Sequence, residues 1–279
     1  MSQTQLLPLG GDVGRRSTEG SSTPPPLRGT SPKGEELFPT RKQEAYRYAD
    51  LDALKDAWDD LEAPRQITVP AGEKHWRVLL PTGDDIEVRR AEITLEAGAE
   101  LALFALNTAP EYGRIEMDVK LHEGARFMLD AANIGGGTAT QEIVTTVRHL
   151  EPNGYSRQWV RSVLAGKATG SYLGKVAVAR DAQKTDGEQS VKAMLLDRGA
   201  TANCKPELEI YADDVKCAHG ATVGEVDREQ LFYADARGLD PASARALLLE
   251  GFVGGLWDDI DGDDRGIADA ARAALKAIA

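Results

Sequence analysis

Polar and apolar residues alternate through the middle of the chain, which is the pattern of β-strands with one buried face. The alternation is clearest at residues 115–121, which read IEMDVKL, and it recurs in short runs from about Gln66 to Val226. On either side of this region the apolar residues recur every three or four positions, as in amphipathic helices. The pattern predicts many short strands between two helical segments.

A weak repeat of the form Leu-x-x-Gly-Ala-x-apolar interrupts the strands. It begins at Leu95, Leu121 and Leu196, and a degenerate copy has Cys217 in the leucine position. The first two copies start 26 residues apart and the last two start 21 apart. Such spacing fits the coils of a stacked β-solenoid, and a glycine at a fixed place suits a tight corner. An antiparallel sandwich with glycine turns is the alternative that the repeat alone leaves open.

The changes of pattern divide the chain into four predicted segments. They are a disordered lead (1–36), an N-terminal helical segment (37–65), a solenoid core (66–226) and a C-terminal helical domain (227–279). The lead is rich in glycine, serine and proline and has too few large apolar residues to form a packed core. In the last segment, Asp240 followed by Pro241 predicts the start of a helix.

Composition narrows the classes of function. The formal net charge of −12 opposes nonspecific attraction to nucleic acids and anionic membranes. We find no run of about 20 apolar residues and no signal-peptide pattern, so we expect a cytoplasmic protein. The two cysteines, Cys204 and Cys217, are too few for a disulfide framework and are expected to be free thiols.

Cys217 and His219 are the candidate site residues. They lie two positions apart in a strand-like run, so both side chains point to one face and offer a thiol and an imidazole to one partner or metal. Two ligands are fewer than a closed four-ligand centre needs. Two alternatives stay open: an inert buried cysteine beside a histidine at a corner, and a cysteine nucleophile with a histidine base.

Several separated blocks carry a family resemblance. In order, they are Pro39 with residues 44–48 and Leu51, residues 170–176, 182–186, 206–222 and 231–233, and Arg237 with Gly238. Taken together, these blocks resemble the SufD branch of the SufB/SufD family, which serves iron–sulfur cluster assembly in the SUF system. At Val191, where SufB-like sequences carry a cysteine, this chain has none, which favours the SufD branch.

The resemblance implies a mainly β fold, a right-handed parallel β-helix core flanked by helical segments, and a scaffold rather than an enzyme. It implies a heterodimer with a SufB-like subunit, in which His219, with Cys217, lies at the interface and holds iron or sulfur transiently together with the partner. No permanently bound cofactor is expected beyond that shared, transient cluster, and a role for flavin is left open. The predicted docking region for a SufC-like ATPase comprises Ala244, Leu248, Leu249 and Phe252.

Two other functions remain compatible with a solenoid. A polysaccharide-active enzyme shares the fold, but it would normally be secreted and would need a groove of acidic and basic catalytic residues. An interaction solenoid without metal chemistry is favoured if His219 is fully buried and hydrogen-bonded.

Overall fold

A computed structural model describes residues 37–260 and 264–279. The lead predicted for residues 1–36 lies outside the described residues. The strands are β1 (Arg65–Val69), β2 (Lys74–Leu79), β3 (Ile86–Leu95), β4 (Glu100–Asn107), β5 (Tyr112–Leu121), β6 (Arg126–Gly135), β7 (Thr140–His149), β8 (Tyr155–Leu164), β9 (Thr169–Val178), β10 (Asp186–Leu195), β11 (Thr201–Ile210) and β12 (Lys216–Glu225). The helices are α1 (Leu51–Trp58), α2 (Arg228–Ala236), α3 (Pro241–Gly254) and α4 (Ile267–Ile278).

The strands build a parallel β-helix. The odd-numbered strands form one six-stranded sheet, sheet A, and the even-numbered strands form a second, sheet B. Every pairing is parallel and joins a strand to the next-but-one strand in the chain. The chain therefore winds through six stacked coils, each with one strand in either sheet. This confirms the predicted fold class and excludes the antiparallel sandwich.

The glycine repeat marks corners in only some of its copies. Gly98 and Gly124 lie at successive corners between sheet A and sheet B, with φ angles of 67° and 64° that favour glycine. The repeat copy that begins at Cys217 predicts a fourth corner at Gly220. This prediction is wrong, because Gly220 lies inside β12 and pairs with Ser190. The spacing of 21 is not a coil length either. The third copy, with Gly199, lies at the opposite corner, between β10 and β11.

The interior of the early coils is aliphatic, because inward positions alternate along each strand and carry large apolar residues there. Burying that surface from water is the main source of stability in such a core. Members of this core include Ile93, Leu95, Leu101, Leu103, Val119, Leu121, Phe127 and Leu129. In the later coils the inward positions include polar side chains, which are described with the candidate site.

The C-terminal helices pack on the outer face of sheet B. Leu249 of α3 and Leu275 of α4 are buried against Phe104 and Leu106 of β4 and against neighbouring strands. The predicted start of α3 is confirmed, since Asp240 Oδ1 accepts hydrogen bonds from the backbone N–H groups of Ala242 and Ser243. In the described ranges, we find no helix with the length and apolarity needed to span a membrane.

The N-terminal helical segment packs beside sheet A. Leu54 and Trp58 of α1 are buried together with Val88 and Tyr112. The Arg114 side chain, fully buried in sheet A, donates to the carbonyl oxygen of Ala45 at 2.9 Å and so ties this segment to the core. The strands run from Arg65 to Glu225, close to the predicted limits of the core, while the division into domains stays a prediction.

Candidate functional site

The last coil of the β-helix leaves one edge of each sheet open. β11 pairs with β9 and β12 pairs with β10, each on one side. The opposite edge of each strand has no strand partner within the described part of the chain. Along β12 every residue except Cys217 is exposed. In β10, one coil earlier, the inward-facing residues are buried. The open edge offers backbone donors and acceptors to another strand.

Cys217 lies at the beginning of this open coil and faces the interior. Its side chain packs against the main core, and its sulfur lies over Gly187 of β10, the register partner of Cys217. Burial raises the pKa of the Cys217 thiol. The protonated thiol is therefore favoured in the isolated chain, which makes the sulfur a weak nucleophile until a metal or a cation binds nearby.

His219 follows on the same face of β12, because side chains two positions apart in a strand point the same way. It is exposed, and it lines a groove of about 480 Å³ together with Cys217, Gln189 and Lys216. Its register partner in β10 is Gln189, and the partner of Gln189 in β8 is Gln158. His219 thus continues an inward-facing row whose two preceding members are buried amides.

Under His219 the interior holds a hydrogen-bonded polar group. The Gln189 amide Nε2 donates to the Tyr172 hydroxyl at 3.0 Å, and that hydroxyl donates to Gln158 Oε1 at 3.2 Å. Thr145 donates its hydroxyl to the same Gln158 oxygen at 2.6 Å. Burial raises the pKa of Tyr172 to about 12, so its hydroxyl stays protonated. Gln189 Oε1 is buried and has no hydrogen-bond partner among the described residues.

A second polar pair lies under Cys217. His149 Nε2 and Ser156 Oγ are 2.9 Å apart, and Ser156 is the register partner of Gly187. Burial lowers the pKa of His149 to about 4, so the ring is neutral at physiological pH. In the early coils the equivalent row holds Leu101 and Phe127. Two inward rows of sheet B therefore change from apolar to polar towards the open coil, while the neighbouring row keeps Val160 and Val191.

Cys204 lies on β11 of the same coil. It is half-buried against the main core, and burial raises the pKa of its thiol. Both cysteines are free thiols, as expected. Among the described residues, no three His, Cys, Asp or Glu side chains come together in a way that would hold a metal ion.

The predicted docking residues on α3 are mostly turned toward the chain's own core. Ala244 and Leu249 are buried, and Leu248 and Phe252 are half-buried. Ala244 and Leu249 also line a groove between α2, α3 and α4, and the docking role of all four residues stays a prediction. The large apolar side chains that α2 and α3 expose are Phe232, Tyr233 and Leu247, at 75%, 60% and 57%.

Sequence reasoning missed the buried polar residues beneath the site. Ser156, Gln158 and Val160 alternate inward in β8, as do Gly187, Gln189 and Val191 in β10. Their sequence signal is a glutamine, Gln158 or Gln189, at a position where the alternation predicts an aliphatic residue. That signal becomes readable once the strand register is known, because it places the two glutamines in one row.

The fold and the site define a class: a parallel β-helix protein with helical segments at both ends. The comparisons with known proteins agree with this class. Residues 71–252 match the family described as SUF system FeS cluster assembly, SufBD core domain. The chain belongs to this SufBD family and is SufD-like.

Three relatives illustrate the extent of the similarity. An iron–sulfur cluster assembly SufBD family protein of Synechocystis is 30% identical over 187 residues, covering 67% of this chain and 41% of that protein. The iron–sulfur cluster assembly protein SufD of Escherichia coli is 41% identical over 120 residues, covering 42% of this chain and 28% of that protein. The chloroplastic protein ABCI7 of Arabidopsis thaliana is 34% identical over 187 residues, covering 66% and 38%. Each match thus covers less than half of the relative's length.

Proposed function

We propose that this chain is the SufD-like scaffold subunit of a complex that assembles iron–sulfur clusters. A SufB-like subunit pairs with the open coil formed by β11 and β12, and a SufC-like ATPase docks on the C-terminal helices and hydrolyses ATP. The chain itself performs no chemical step. The nascent cluster is cargo that is held at the interface and passed on.

The observation that carries the proposal is the open coil. Its edge strands offer unsatisfied backbone groups, and Cys217 and His219 lie on one face of the strand that a partner would cover. Strand addition at such an edge gives affinity through main-chain hydrogen bonds, while alternate side chains give specificity. Family membership supplies the kind of partner, because the matched family serves the SUF system.

Cys217 and His219 supply half of a cluster site. Iron in such clusters takes four ligands, mainly thiolates, and imidazole replaces thiolate in some centres. The two residues contribute at most two donors, so the remaining ligands come from the partner subunit. Docking also brings cationic metal close to Cys217, which favours the thiolate over the thiol.

The C-terminal helices would receive the ATPase through their exposed face. Phe232 of α2 lines a groove of about 870 Å³ between α2, α3 and α4, and Leu247 of α3 is exposed outside that groove. The contacts between α3, α4 and sheet B then connect this surface to the β-helix. ATP-driven movement of the ATPase would be transmitted to the open coil along this route.

The test is reconstitution with SufB-like and SufC-like partners, comparing the wild-type chain with His219→Ala. We expect the variant to form the complex normally and to assemble at least about tenfold less cluster, measured by iron and sulfide content and by visible absorption. His122→Ala is the matched control, because His122 is a partly exposed histidine paired with Glu151 at a corner of another coil.

The outcomes separate the alternatives. Normal cluster assembly by His219→Ala would remove His219 from the mechanism and favour a metal-free interaction solenoid. Failure of the wild-type chain to form a stable complex with either partner would contradict the scaffold function itself.

A further inference from the structure

The side-chain amide of Gln189 has one polar atom bonded and one free, directly beneath His219. Its Nε2 donates to Tyr172, and its Oε1 is buried with no partner among the described residues. A buried acceptor without a donor is costly, so a hydrogen bond from a neighbouring N–H would stabilise the chain. His219 is the register partner of Gln189 on the adjacent strand, about 4.8 Å away along the ladder.

The orientation of the Gln189 amide follows from the hydrogen bonds below it. The Tyr172 hydroxyl uses its single proton toward Gln158 Oε1, so it can only accept from Gln189. Gln158 Oε1 also accepts from Thr145, and Gln158 Nε2 is buried without a partner among the described residues. With the Tyr172 proton on Gln158, Gln189 presents its NH₂ to Tyr172 and its carbonyl oxygen elsewhere. In this arrangement a flipped Gln189 amide would place two acceptors against each other.

We propose that Gln189 is a positioning residue for His219. Its Oε1 accepts a hydrogen bond from one ring N–H of His219, which fixes the tautomer and the plane of the imidazole. The other ring nitrogen is then deprotonated and points out of the open coil, where it can bind iron. This pattern is common among metal-ligating histidines, whose second nitrogen donates to a protein oxygen.

This inference rests on the proposed function of His219, but its first test does not require cluster assembly. The tautomer of His219 is measured in the isolated full-length chain by long-range ¹H–¹⁵N NMR of ¹⁵N-histidine-labelled protein, at a pH where the ring is neutral. His219→Ala assigns the signals among the four histidines. The reference is the tautomer ratio of the same chain unfolded in urea.

In the folded wild type we expect the ratio of the two His219 tautomers to differ from that of the unfolded chain by about fivefold or more. In Gln189→Met we expect the ratio to return to the unfolded value. Tyr172→Phe removes the acceptor that orients Gln189, and it should shift the ratio in the same direction by a smaller amount. A wild-type ratio equal to that of the unfolded chain would overturn the proposal without any variant.

Two controls distinguish positioning from a general loss of structure. Gln141→Met removes another buried glutamine, whose Nε2 donates to the Ile134 carbonyl oxygen at 2.9 Å, and it should leave the His219 ratio unchanged. The buried His149, bonded to Ser156, reports in each spectrum whether the interior is intact. An altered ratio in Gln141→Met would mean that His219 responds to stability rather than to Gln189.

Cluster assembly then separates this inference from the proposed function. Gln189→Met should assemble cluster several-fold less well than wild type and better than His219→Ala. If His219→Ala assembles cluster normally while Gln189 still fixes the tautomer, the proposed function fails and the hydrogen bond stands. If the tautomer ratio is unaffected by Gln189→Met while His219→Ala is defective, the positioning role fails and the proposed function stands.

Discussion

At the scale of single residues, the polar interior depends on a close fit within β9. Gly174 of β9 leaves the space that the Tyr172 hydroxyl occupies, since a Cβ at Gly174 would lie 2.0 Å from that oxygen. The hydroxyl in turn accepts from Gln189 and donates to Gln158. One small residue thus permits the hydrogen bonds on which the orientation of Gln189 depends.

Gly174→Ala should therefore destabilise the chain by about 1–3 kcal/mol, because the added methyl displaces a buried tyrosine ring in a closely packed interior. The measurement is the free energy of unfolding from urea titration. Gly220→Ala is the matched control, since Gly220 also lies within a strand but a Cβ there would meet no atom of the described residues within 4 Å. Equal stability of the two variants would show that Tyr172 is not held as described.

At the scale of elements, an ion pair fixes the C-terminal segment to the β-helix. Arg157 of β8 contacts Asp130 of β6 at 2.7 Å and Asp259, after α3, at 2.9 Å. Burial raises the pKa of Asp130 to about 6, although Arg157 opposes that shift. The negative charge of Asp259 adds to the rise, and Arg161 lowers it. The joint between sheet B and the helices is therefore sensitive to pH.

The sign of that dependence follows from the raised pKa. An unfolded aspartate titrates near 4, so the folded chain binds more protons between about pH 4 and 6. The contribution of Asp130 to stability is fully present below pH 4 and is lost as the pH rises through 6. Its size is at most about 3 kcal/mol.

Asp130→Asn should remove this dependence. Between pH 4 and 7 the free energy of unfolding of the wild type should fall by up to about 3 kcal/mol relative to that of the variant. The measurement is urea unfolding of both chains at each pH. Asp118→Asn, which alters the more exposed pair with Arg148, serves as the control and should show little pH-dependent difference. A constant difference between wild type and Asp130→Asn across this range would contradict the account.

The sequence predicted the elements better than their contacts. Alternation in residues such as Ile115, Met117 and Val119 indicated strands, and Asp240 with Pro241 located a helix start, because these signals are local. The corner assigned to Gly220 was wrong, since glycine also occurs within exposed strands. The row of Gln158 and Gln189 under His219 depends on strand register, which joins residues about 30 positions apart.

At the scale of the whole molecule, two separate surfaces expose apolar side chains. The open coil exposes Val223 of β12 at 51%, and α3 exposes Leu247 at 57%. The first surface is the edge of a β-helix and the second is an outer helix face, so they suit different partners. We propose that the open coil joins the SufB-like subunit, while the ATPase docks on the helices.

The most direct test of this claim is a reciprocal binding measurement with two matched variants. We expect Val223→Asp to weaken binding of the SufB-like subunit at least about tenfold, about 1.4 kcal/mol, and to leave binding of the SufC-like ATPase unchanged. Leu247→Asp should show the opposite pattern. Two results would contradict the account. One is unchanged binding of the SufB-like subunit to a folded Val223→Asp chain, and the other is loss of that binding in Leu247→Asp alone.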